Sequence, residues 1–266
     1  GPRLLDAAAL GWHLWLVPCW SLSMTRHVRY LLAVPLALGG SLAMAGERAV
    51  VVELFTSQGC SSCPPADALL ADLAARDDVI ALALHVDYWD YLGWHDSFAS
   101  PAFTERQKAY AHALGERMIY TPQMVVDGRE GIVGSKADAV RAAIAAGLAR
   151  PDTADVSIEA EAEGLSVRLA ARRAPVPAAV VNLVTYAAPQ TVAITRGENS
   201  GHAITYTNPV RSWMRLGSWR GDAAVWTVPF PEDAAGVAVL VQDAESMAVL
   251  GAARHEWRGK DAQARP

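Results

Sequence analysis

A mixed α/β domain followed by an antiparallel β-sandwich is the fold class this 266-residue sequence predicts. Three observations carry it. The apolar, β-branched run Val50–Thr56 breaks at Ser57-Gln58-Gly59, passes Cys60-Ser61-Ser62-Cys63 and enters a helix-forming stretch at Pro64. A second apolar run of strand length, Val79–Val86, completes a strand–helix–strand unit, the signature of a parallel pair. Beyond Arg150-Pro151-Asp152-Thr153 the pattern changes to short strands separated by turn residues, as in two packed antiparallel sheets.

Composition sets the broad class. The net charge is −5 with no large basic block, which argues against a nucleic-acid partner, whose footprint is a clustered positive face. No apolar run in the body of the chain approaches the ~18 residues of a spanning helix, so no membrane span is expected in the mature chain. The segment Met24–Tyr30 is basic, Leu31–Leu38 is apolar, and Ala43-Met44-Ala45 is a small-x-small cleavage site. Residues 24–45 therefore read as a signal peptide, and the address as periplasmic or secreted. Residues 1–23, with Trp12, Trp15 and Trp20, are set apart as an upstream extension outside the mature protein, and 258–266 as a tail. Cys19 leaves with that extension, so Cys60 and Cys63 remain, and in an oxidising compartment such neighbours tend to pair.

The cysteine pair stands where thiols become reactive. Pro64 and Pro65 suit a first helical turn, and Leu69, Leu70 and Leu73 give the following helix its apolar stripe. Cys60 thus precedes a helix N-terminus, where unpaired N–H groups and the dipole favour the thiolate and lower its pKa from ~8.5 into the ~3.5–7.5 range. A redox-active dithiol is the leading reading. An inert structural disulfide is one alternative. Half of a zinc site is another, although such sites usually need a second cysteine pair and none remains here.

Pro101–Met118 is helix-like, with Phe103, Gln107, Tyr110, Ala111 and Leu114 at three- and four-residue steps. Tyr120-Thr121-Pro122-Gln123 then leads directly into an apolar strand, Asp127-Gly128 makes a hairpin turn, and Lys136–Ala149 forms an alanine-rich helix. The order β-α-β-α-β-β-α is that of the thioredoxin fold, so residues 46–150 are expected to form a thioredoxin-like domain. Residues 153–257 are expected to form the β-sandwich, with a hairpin near Glu163-Gly164 and strands at 179–186, 191–195, 202–207, 224–228, 237–242 and 248–252.

A proline loop, Thr121-Pro122, after a Cys-x-x-Cys pair resembles the thioredoxin superfamily. The motifs Glu53–Asp67, His85–Asp90, Gly93-Trp94, Arg106-Gln107, Tyr120–Gln123 and Arg196–Asn199 together resemble the exported bacterial family catalogued as domain of unknown function 1223. The resemblance covers about the whole mature chain and implies a thioredoxin-like domain and secretion, without supplying a reaction. Carried over by position, it implies that Cys60 is the attacking thiolate and Cys63 the resolving thiol. It further implies that Thr121 and Pro122 form a cis-proline loop facing the substrate, and that Glu53 is a buried carboxylate aiding proton transfer. Two departures stand out: Gln58-Gly59 precedes Cys60 where many members carry an aromatic residue, and Ser61-Ser62 replaces the better-known intervening pairs.

The expected function is thiol–disulfide exchange with a protein or small-molecule thiol or disulfide, with no cofactor and with Cys60 the more exposed sulfur. Two rivals remain. One is a copper or zinc carrier using Cys60, Cys63, His85 and His95, since thiolate and imidazole suit both metals. The other is a binding protein whose disulfide is structural, betrayed by sulfurs that are covered. Around His85–Asp96 the plainer reading is an aromatic rim of Tyr88, Trp89, Tyr91 and Trp94 with His and Asp hydrogen-bonded at its edge. Gly197–His202 reads as a hairpin turn or as a loop that touches a partner or substrate. Trp213, Trp219 and Trp226 read as core.

Overall fold

A computed structural model describes residues 48–257; the segments 1–23, 24–45 and 258–266 singled out above lie outside the described residues. Strand β1 (Val50–Thr56) and strand β2 (Val79–His85) run parallel, in register from Val50 opposite Val79 to Thr56 opposite His85. Strand β3 (Gln123–Val126) joins the other edge of β1 antiparallel and pairs with β4 (Glu130–Val133), giving the order β2-β1-β3-β4. Successive strand residues face opposite ways. Val50, Val52 and Leu54 therefore meet helices α1 (Pro64–Ala74) and α3 (Ala137–Leu148). Val51 and Phe55 instead meet α2 (Pro101–Leu114). Burial on both faces explains why β1 and β2 read as continuous apolar runs.

Local chemistry sets the boundaries. Ser100 caps α2 by accepting from Ala102 N, Pro101 opens it, and Gly115 ends it at φ 69°. The Asp127-Gly128 turn has both residues at positive φ, 51° and 64°, as a tight hairpin requires. A side chain at Gly128 would collide with the Met247 carbonyl, and Val249 N donates to Asp127 O at 2.8 Å, so this turn is pinned to the second half of the chain.

That second half comprises β5 (Ala154–Glu161), β6 (Gly164–Ala171), β7 (Ala179–Tyr186), β8 (Gln190–Ala193), β9 (Ala203–Tyr206), β10 (Val210–Trp219), β11 (Ala224–Val228), β12 (Gly236–Asp243) and β13 (Val249–Glu256). They form an antiparallel sheet of order β10-β7-β12-β13, a second of order β11-β6-β5, and a separate β8–β9 pair. Leu165, Val167 and Leu169 pack against Val181, Leu183, Val239 and Val241 between the two larger sheets. The alternate residues Val184, Tyr186, Ala238 and Leu240 turn the other way and join Val51, Phe55, Ile80 and Leu82 in one shared core. The halves expected on either side of residue 150 are thus welded through apolar packing, and the described residues belong to one compact unit.

Strand β10 was absent from the sequence expectation. Most of its residues are exposed or half-exposed, and two register shifts, at Val210/Ser212 and Arg215/Gly217, break the two-residue alternation by which a strand is recognised. Trp219 within it is core, Trp226 packs at the edge of the same cluster, and Trp213 lies against the shared core.

Candidate functional site

Cys60 and Cys63 pair as a disulfide at the carboxyl end of β1. The geometry follows from the turn: Cys60 N donates to Ser57 O, and Cys63 N to Cys60 O, winding the loop tightly enough for i to i+3 closure. Cys63 is the N-cap of α1, its carbonyl accepting from Ala66 N at 2.8 Å and Asp67 N at 3.1 Å. Pro64 and Pro65 cost no hydrogen bond there. Ser61 and Ser62 are exposed, whereas both cysteines are 0 % exposed. Cys60 is therefore not the more exposed sulfur, contrary to expectation, because other segments close over it.

Two sources supply the cover. From the β8–β9 loop, Asn199 donates to Gln58 O at 2.9 Å and to Cys60 O at 3.0 Å, and Glu198 accepts from the Ser61 hydroxyl at 2.7 Å. From the segment after β2, Trp94 Nε1 donates to Gln58 Oε1 and Trp89 Nε1 donates to Thr121 Oγ1, both at 2.8 Å. A Cβ on Gly59 would lie 3.2 Å from Trp89 Cβ, so the glycine admits the indole. Two of the four aromatic residues expected at the rim, Trp89 and Trp94, thus border the cysteine loop, while Tyr91 is exposed. The Thr121-Pro122 bond is cis, as the resemblance implied. Around Gly134, Pro122 Cβ and Ala66 Cβ come within 3.2 and 3.0 Å of a would-be Cβ, which brings the proline loop to the first turn of α1.

Behind the bridge lies a buried polar cluster. The Thr56 hydroxyl donates to Asp67 Oδ1 at 2.8 Å, one helical turn beyond Cys63. Burial pushes the Asp67 carboxyl from its ordinary 3.8 up to about 7, against the pull of His85 and the Thr56 hydrogen bond. His85 Nδ1 lies 2.7 Å from Asp96 Oδ2. Burial acts to raise the Asp96 carboxyl as well. The hydrogen bond and charge of His85, with the backbone N–H groups of Gln58 and Phe98, outweigh it and hold the group below its usual range. The Tyr206 ring stands 4.8 Å from His85, and burial beside Asp67 and Asp96 raises its phenol. Asp67 Oδ2, His85 Nε2 and the Tyr206 hydroxyl have no hydrogen-bond partner among the described residues. Unpaired buried polar atoms are rare, and each calls for an explanation.

Glu53 sits elsewhere. Alternation along β1 turns it to the α2 face, away from Thr56 and Asp67. There Arg106 holds it through Nε at 2.6 Å and Nη2 at 2.8 Å, with the Tyr110 hydroxyl on the same carboxylate. Arg106 also reaches Gln242 on β12 and lies 3.6 Å over the Trp213 ring, so the group ties the two halves together. Burial raises the Tyr110 phenol strongly. A carboxylate clamped on both oxygens by a guanidinium does not suit the proton-transfer role the resemblance implied for Glu53, and Asp67, which the sequence reading passed over, suits it better.

The other candidate ligands do not converge. His85 is buried on Asp96, while His95 is 83 % exposed with Nδ1 2.6 Å from Asp90 Oδ2. Among the described residues no group of three or more His, Cys, Asp and Glu is arranged to hold a metal ion. No helix among them is long and apolar enough to cross a membrane.

Fold and site define a mixed α/β protein of several sheets with a buried Cys60–Cys63 disulfide at a strand-to-helix turn. The chain belongs to the family described as Protein of unknown function (DUF1223), which matches residues 51–242. It is similar to the crystal structure of protein AGR_C_4864 from Agrobacterium tumefaciens, with 34% identity and a TM-score of 0.69, covering 79% of this chain and 95% of that one. It is also similar to HBP35 of Porphyromonas gingivalis, at 15% identity and a TM-score of 0.50 over 79% of this chain and 75% of that one; the likeness extends to fold alone. No curated protein matches the chain.

Proposed function

We propose that this is an exported thiol–disulfide exchange protein, a thioredoxin-like half backed by a β-sandwich, acting through Cys60 and Cys63. The observation that carries it is the bridge's position: at the carboxyl edge of two parallel strands, heading α1, with a protonatable buried carboxyl one turn behind it. Open α/β sheets do their chemistry at that edge. The sheet order β2-β1-β3-β4, with β3 antiparallel to β1, supports the thioredoxin-like reading. Export rests on the Met24–Ala45 sequence and agrees with a disulfide in the mature chain.

The exchange balances as follows. In the reduced protein the Cys60 thiolate attacks a substrate disulfide, forming a mixed disulfide and releasing one substrate thiolate. Cys63 loses its proton and attacks Cys60 Sγ, closing the bridge and releasing the second thiolate. The substrate gains two electrons, and its two thiolates take up two protons, one that Cys60 gave to solvent on ionising and one that Cys63 gives up through Asp67. Asp67 is the proton acceptor for Cys63: helical side chains lean toward the N-terminus, and a group titrating near neutrality both takes and returns a proton. Substrate contact is assigned to Thr121 and Pro122, whose cis loop reaches the first turn of α1 beside Ala66.

Complete burial of both sulfurs favours a second reading, a structural disulfide that fixes the loop under Asn199. A copper or zinc site on Cys60, Cys63, His85 and His95 would require His85 to leave Asp96 and His95 to leave Asp90. The experiment that separates exchange from scaffold is capture. A Cys63→Ser chain starting at Gly46, incubated with export-compartment extract, is expected to hold partners through a Cys60 disulfide that reductant releases. Capture of nothing beyond a Cys60→Ser, Cys63→Ser control would overturn the exchange reading.

A further inference from the structure

Part of the cover over the bridge comes from the far half of the chain, and its construction assigns it a task. Gly197–His202 joins β8 to β9, which pair with each other and, among the described residues, with no other strand. A two-stranded hairpin is marginal unless anchored. Its base is held by Ile194 N to His202 O at 2.9 Å and Gly201 N to Ile194 O at 2.8 Å, with Ile194 buried. Its tip is bound to the cysteine loop mainly through one side chain. Asn199 is 5 % exposed, and its single amide group spans Gln58 O and Cys60 O. Glu198 adds an exposed bond to Ser61. Gly197 at φ 76° and Gly201 at φ 86° flank the three residues between them, and these are the positions where backbone can swing at least cost.

We propose that Asn199 is the access-determining residue of the Cys60–Cys63 site. It latches the Gly197–His202 segment over the bridge, closing it to simple thiols and leaving it open to a polypeptide that displaces the segment. A partner that reaches the sulfurs has to offer donors to the two carbonyls in place of Asn199, as a peptide backbone does and an alkyl thiol does not. The inference rests on the exchange reading for its biological meaning, but its test reads only how fast the bridge is reached. A protein whose disulfide proves purely structural would still report on the latch.

The probe is dithiothreitol, whose two thiols become its cyclic disulfide as Cys60 and Cys63 take up two electrons and two protons. The chain from Gly46 is mixed with excess reagent at neutral pH, and reduction is followed by quenching and mass shift. Asn199→Ala removes both latch bonds and is expected to speed reduction roughly 10- to 30-fold. Gly201→Ala tests the same latch from a distance, because its added methyl meets nothing within 4 Å yet must adopt φ 86°. Strain in the closed segment is expected to speed reduction about fivefold. Thermal unfolding of both variants checks that the rest of the fold is retained. Rates within about twofold of the unaltered chain for both variants would overturn the proposal, as would speeding by Asn199→Ala alone together with a collapsed melting transition.

Discussion

Thr56 donates its hydroxyl to Asp67 Oδ1 at 2.8 Å, while the other carboxylate oxygen of Asp67 is buried without a partner among the described residues. The last residue of β1 and the first turn of α1 are thereby joined directly behind the disulfide, and the group between them titrates near neutrality.

Asp67 makes stability depend on pH in a definite direction. Its carboxyl rises from 3.8 in the open chain to about 7 in the fold, so the folded state binds more protons between those values. Its contribution is fully present below pH 3.8 and is lost as pH rises through about 7. Urea unfolding from pH 5 to pH 8 is expected to show falling stability, and Asp67→Asn to flatten that slope. An unchanged slope in the variant would remove the assignment.

On the exchange reading proposed above, the same carboxyl is the proton acceptor in the resolving step. With a Cys60 mixed disulfide formed on a small aromatic thiol, release of that thiol by Cys63 is expected to rise with pH through an inflection near 7. Asp67→Asn should slow release at neutral pH at least about tenfold and abolish the inflection, since general-base assistance is typically worth that much or more. Glu53→Gln should leave the profile in place.

Glu53 and Arg106 predict a different phenotype. Arg106→Ala strands a buried carboxylate and uncovers Trp213, at a cost of about 3–5 kcal/mol in denaturant unfolding. Arg106→Lys is expected to rescue little, because an ammonium cannot make the paired bonds at 2.6 and 2.8 Å. Loss of stability below about 1 kcal/mol in Arg106→Ala would contradict the weld between the halves.

The Asp127-Gly128 turn gives a fourth test. Gly128→Ala forces an L-residue to φ 64° and its methyl into the Met247 carbonyl. Destabilisation of about 2 kcal/mol or more is expected from the backbone alone plus the clash. A neutral effect would mean the hairpin does not dock on the β12–β13 connection as described.

Much of this was legible in sequence because it was local. The strand–cysteine–helix succession, Pro101 opening α2 and the positive-φ turn at Asp127-Gly128 are each written in neighbouring residues. Alternation along β1 also carried a correctable signal: Glu53 shares parity with Val51 and Phe55, which places it opposite Thr56 and the α1 side. Asp67 was hidden because an acid in a first helical turn is ordinary on dipole grounds. It is buried in a cluster with His85 and Tyr206, the latter far along the chain. The covering of Cys60 was hidden for the same reason, since Asn199 reads as a turn residue until the β8–β9 hairpin is laid against the cysteine loop. Strand β10 was lost to its bulges and its exposed face.

Whether the Cys60–Cys63 bridge exchanges electrons or merely fastens a loop is read from its reduction potential. The chain from Gly46 is equilibrated anaerobically with graded dithiol buffers until the oxidised fraction is constant, long enough for a latched site to respond. An exchange protein is predicted to lie within the range of known catalysts, about −120 to −270 mV. A potential below about −300 mV, where structural disulfides fall, would mark the bridge as a fastener and rule out exchange.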